Sequence, residues 1–244
     1  MPSLCHHRAD RAGHTPPFRR ASVITGESRP TVTPVTTSGA PTEPAEFRDA
    51  VQSLHAANVR PEIEVGSIRP PQRLAPYSYA LGVEVRQPDV TDSAMIPADS
   101  AGSSFGRLVL LYDPDGQEAW NGTFRLVAFI QAEVEAALAA DPLLPQVTWS
   151  WLSEALGVSD GETESTPAFG SDVPPVRALG GTVTATTSVR YGDIAGPPQS
   201  HQLELRASWT ATGVDLSVHL EAFCDVLASV AGLPPSGVSA LGSL

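Results

Sequence analysis

The chain has 244 residues, 41% of them hydrophobic, with 15 basic and 27 acidic side chains and a net charge of −12. That apolar share is enough for a packed core, which excludes wholesale disorder. No apolar run reaches the roughly 20 residues that span a bilayer, and two cysteines do not make a disulfide scaffold.

Residues 1–42 read as a disordered tail, rich in Pro, Ser, Thr, Gly and Arg, without apolar periodicity. Its Cys5, His6, His7 and His14 match no closed zinc spacing. A start assigned too early would explain residues 1–30. From Glu43 to Asn58, Phe47, Val51, Leu54 and Ala57 recur at helical spacing behind Thr42 as a cap. Ile63 and Val65 suggest a short edge strand. Three prolines exclude regular structure over Arg69–Tyr77. Tyr79, Leu81, Val83 and Val85 then alternate with smaller or polar residues as a half-buried strand does.

Residues 87–104 read as a polar loop, and Leu108–Tyr112 as a strand covered on both faces. Asp113-Pro-Asp-Gly116 is a turn signal returning into a short strand that ends at Trp120. A helix is predicted next, capped by Asn121 or Thr123, with Val127, Ile130, Val134 and Leu138 as its stripe and Asp141-Pro142 as its stop. Val147–Leu156 carries Trp149 and Trp151 without deciding between helix and strand. An acidic, mobile loop is expected over Gly157–Val176. Two alternating strands, through Val183–Tyr191 and Leu203–Trp209, form a hairpin around Gly192–Ser200. A last helix is predicted over Asp215–Ala231, with Gly232 as its C-cap, before a frayed end at 236–244.

These elements give an α+β fold in one domain over 43–235. Its antiparallel sheet has about five or six strands, helices pack mainly on one face, and the order is α-β-β-β-α-(α)-β-β-α.

Charge and motifs narrow the chemistry. The balance is +3 over residues 1–42 and −15 over 43–244. An acidic body repels phosphate backbones, so nucleic acid is not the expected partner. Every basic residue is Arg, which removes lysine Schiff bases and the P-loop lysine. The same bias suits a GC-rich, actinobacterial type of source. The GxSxG, P-loop, HExxH, paired CxxC and GxGxxG patterns are all missing. Asp89, Asp92 and Asp99, or Asp113 and Asp115, lack EF-hand spacing. No cofactor or metal is expected. Asp215 and His219, four apart on the last helix, read as a surface pair, or else as an oriented acid/base group. Cys224 reads as a buried, inert thiol.

Arg69 and Arg73 flank a stiff proline pair beside Tyr77, and Trp149 and Trp151 add aromatic area. Stiff loops lose little entropy on binding, so these five residues are the candidate binding surface for a protein or peptide partner. The leading expectation is a non-enzymatic, cytoplasmic interaction module, chaperone- or adaptor-like, with no membrane association and with homodimerisation left open. The alternative is an enzyme built around His219 or His201.

The stretches Arg73-Leu-Ala-Pro-Tyr77, Trp120-Asn-Gly-Thr-Phe124 and Val147-Thr-Trp-Ser-Trp-Leu152 resemble the actinobacterial family named domain of unknown function 3000, over roughly residues 43–235. That resemblance implies no activity, cofactor or catalytic residue. The element order is also similar to that of type III secretion chaperones, which implies binding more than catalysis but does not fix it.

Overall fold

The structure, a computed structural model, describes residues 43–86, 104–165, 176–193 and 198–235. The expected tail, the loop at 87–103 with its three Asp, and the segment 236–244 lie outside the described residues, as does part of the loop at 157–176.

The fold is α+β. Six antiparallel strands, β1 (Ile63–Ile68), β2 (Tyr77–Val85), β3 (Ser104–Gln117), β4 (Gly122–Glu133), β5 (Val176–Val189) and β6 (Gln199–Ala211), form one sheet in the order β1-β2-β3-β4-β6-β5. The helices are α1 (Ala45–His55), the single turn α2 (Ala136–Ala139), α3 (Leu144–Ala155) and α4 (Ser217–Val230). The main helices lie on one side of the sheet, where Leu81, Leu108, Leu126, Ile130, Leu205 and Trp209 are buried. Burying a leucine-sized side chain is worth about 2 kcal/mol, so this seam supplies most of the cohesion.

Helix α4 sits at the middle of that layer. It packs on β2, β3 and β4 and against α1 and α3, and nine of its residues are buried. Phe223 reaches the sheet because position 106 is glycine: a Cβ there would lie 2.6 Å from the Phe223 ring. Cys224 is buried, as expected. Gly232, with φ of 73°, follows the helix as a left-handed residue. Helix α1 closes the core from its own side. Its Phe47 joins Tyr77, Tyr112 and Phe124 in an aromatic cluster, and Glu46 accepts a 2.7 Å hydrogen bond from the Tyr112 hydroxyl.

Two expectations are overturned. The helix expected from Asn121 or Thr123 onward is strand β4 as far as Glu133. Phe124, Leu126, Ala128, Ile130 and Ala132 alternate towards the core, and the strand is bonded on both sides, to β3 and β6. Only the short α2 is helical in the remainder of that stretch. The second concerns the turn. Asp113–Gly116 is not the reversal but an irregularity within β3, between its Tyr112 and Gln117 pairings. Asp113 holds it, accepting from the Asp115 N–H and the Gln117 amide. The chain reverses at the 3-10 turn Glu118–Trp120, where Asn121 takes a φ of 55°.

Candidate functional site

The five candidate residues do not meet. Arg69 and Arg73 lie in the β1–β2 connection and are exposed, and Arg73 adopts a φ of 67°. Tyr77 belongs to the aromatic cluster under α1 instead of the loop surface. Trp149 and Trp151 are on α3, which packs on β5 and α4. Both are half-buried and packed against the core, and Trp149 rests on β5. The loop opens onto β2 while Trp149 borders β5, four strands away in the sheet order. At the usual strand spacing that is about 19 Å across the sheet. A single surface made of the arginine loop and the tryptophans is therefore not present.

Trp149 makes a different feature. With Pro145 and Gln146 it forms one wall of an open groove, and Gly181, Thr182 and Val183 of β5 form the other. The ring lies so close to the strand that a Cβ on Gly181 would be 2.8 Å from it and 2.3 Å from the Arg206 carbonyl oxygen. Only glycine fits there.

The second feature is the sheet face opposite the helices, which sequence reasoning left as a merely polar outer face. Register places Arg107, Phe129 and Arg206 in one row across β3, β4 and β6, with Val109, Val127 and Ser208 in the next. The Arg206 guanidinium lies 5.3 Å from the centre of the Phe129 ring and pairs with Glu204 at 2.6 Å. Val127, at the middle of a central strand, is 36% exposed. Arg125 is half-buried on the same face. It donates to the Ala178 carbonyl at 2.9 Å and to the hydroxyls of Thr210 and Ser208, and burial lowers its pKa. Its bond to Ala178, which has a φ of 49°, pins the irregularity in β5. The signal for this face was the alternation of β4 itself, once read with a period of two.

The three histidines of the body are scattered. His55 bonds to the Tyr79 hydroxyl at 2.9 Å, and Tyr79 bonds to Ser67, a chain that fastens α1 to the first two strands. His201 bonds to Thr187 across the β5–β6 hairpin. His219 is not the surface partner of Asp215 that its spacing suggests. Asp215 instead accepts from the N–H and hydroxyl of Ser217, which lowers its pKa. The His219 ring is wholly buried against Trp209, whose indole N–H donates to Nδ1 at 3.2 Å. Nε2 has no partner. Burial pushes the His219 pKa down to about 4, against a smaller opposing effect of Asp215. A neutral ring fixed in the core is a poor proton shuttle for an outside substrate. Among the described residues no three His, Cys, Asp or Glu side chains gather as metal ligands. Nor is any described helix long and apolar enough to cross a membrane.

No curated protein and no solved structure matches the chain. One family model does, described as protein of unknown function (DUF3000), and it covers residues 43–239. That span takes in every element of the sheet and helix layer, and the chain belongs to this family.

Proposed function

We propose that the protein is a non-enzymatic, cytoplasmic interaction module, chaperone- or adaptor-like, that holds a protein partner on the face of its sheet that no described helix covers. The observation that carries this reading is the exposure of Val127 at the centre of that face, with half-buried Val109 and Phe129 beside it and Phe105 against Phe129. Apolar area of this kind on a rigid sheet gains from being covered. The partner would bring a flat apolar surface. Carboxylates at its rim would suit Arg125 and Arg206, since aromatic–arginine surfaces are favoured where proteins meet.

The test is capture from an extract of the source cell with the immobilised full chain and with Val127→Glu. The expected result is a protein retained by the original chain and lost with the variant, whose melting temperature is unchanged. An identical set of captured proteins from both would remove this face from consideration.

A further inference from the structure

We propose that strand β5 is the seam of a homodimer, in which two copies of the chain join edge to edge into a continuous twelve-stranded sheet. This goes beyond the partner-binding reading and rests on a different part of the fold. β5 is one of the two edge strands of the sheet. Residues 163 and 165 cover only its beginning, through bonds to Leu179 and Val176. From Gly181 to Val189 no described residue pairs with its outer side.

The hydrogen-bond alternation fixes which groups are free. Arg190 donates its N–H inward, to the Pro198 carbonyl, and the register from Gly180–Ser208 to Val189–Gln199 is unbroken. Groups at even positions therefore point to β6. Those of Gly181, Val183, Ala185, Thr187 and Val189 point outward. An edge of that length is normally protected by charge or proline. Residues 178–189 contain neither, within a chain of net charge −12. Two acidic copies meet most readily along such an uncharged line.

The occupant follows from self-complementarity. The free stretch is centred on Ala185. Antiparallel pairing about a two-fold axis there sets Ala185 opposite itself, Val183 opposite Thr187, and Gly181 opposite Val189. All five outward residues of each copy are then satisfied, by about ten main-chain hydrogen bonds. The same register places Val189 of the second copy over Gly181, on the helix side of the sheet, at the mouth of the Trp149 groove. Val189 is 51% exposed in the single chain. Each copy thus carries one knob and one hole, and the axis brings both pairs together at once. On the other side, Thr182 meets Ser188 and Thr184 meets Thr186, pairs that suit adjacent strands.

The experiment measures the mass of the full chain by light scattering over a wide concentration range. Twice 25.6 kDa is expected. Val189→Glu places a carboxylate against the Trp149 ring of the other copy, adds to the negative charge of both chains, and should weaken association roughly tenfold or more. Register is read by Ala185→Cys in a Cys5→Ser background. Its two Cα atoms would lie about 5.5 Å apart across the axis, within disulfide reach. Mild oxidation should give a covalent dimer, while Thr184→Cys, which does not face itself, should not. A chain that stays at 25.6 kDa at every concentration overturns the proposal. So does a dimer indifferent to Val189→Glu that fails to cross-link at position 185. Neither result bears on capture by the Val127 face.

Discussion

Acidification should expose the energetic cost of His219. The ring is neutral in the fold, with its pKa pushed to about 4 by burial, while in the unfolded chain it titrates near 6.5. As the pH falls below that upper value the unfolded state takes up a proton that the folded state refuses, and stability drops. The loss grows until the folded state also protonates, near the lower value, and then levels off. The gap between the two values corresponds to about 3 kcal/mol at most. At about pH 4.5 the share already lost is about 2.5 kcal/mol. Carboxylates titrate in this range too, so the measurement is a difference. Urea unfolding of the original chain and of His219→Leu is compared at about pH 7.5 and about pH 4.5. The variant replaces the imidazole with a side chain that cannot titrate, and its acid-induced loss should be smaller by about 2 kcal/mol. Asp215, the charged group that acts on this ring, stays in both. Equal losses in the two proteins would refute the reasoning.

Two further outcomes test the packing. Gly181→Ala should cost about 2 kcal/mol in thermal or urea unfolding, because its Cβ overlaps backbone and the Trp149 ring. Gly180→Ala, which would meet nothing within 4 Å, should stay within about 0.5 kcal/mol. Cys224, its thiol pKa raised to about 12 chiefly by burial, should resist a thiol reagent in the native protein and react once the chain is unfolded.

The β5–β6 hairpin was legible because Thr and Ser alternate with apolar residues along it, and α4 because Gly232 marks its end. Strand β4 was not. Its core-facing residues Phe124, Leu126 and Ile130 are interleaved with Val127 and Phe129 on the face that no described helix covers, so the stretch satisfies a helical stripe as well as a period of two. The candidate surface failed for another reason. Prolines and aromatic rings are readable locally, but the separation of these residues depends on β6 entering between β4 and β5. Strand order is a property of the assembled sheet and leaves no mark on local patterning. His219 was misread because a spacing of four says which helix face is shared, not whether that face meets solvent. On α4 nearly every face is covered.

The position of α4 bears on how the chain is made. The helix that fills the centre of the layer is the most C-terminal described element, and β6, just before it, is the neighbour that β4 needs on its second side. A ribosome emitting this protein therefore releases β1 to β4 well before the pieces that complete their surroundings. Until then the edge of β4 and the apolar seam of the sheet stand open, a state prone to aggregation. Pairing of residues far apart in sequence also makes the final step slow compared with a helical bundle. Chains interrupted before Ser217 would lack the keystone helix and should be cleared by proteases instead of accumulating as a smaller folded form.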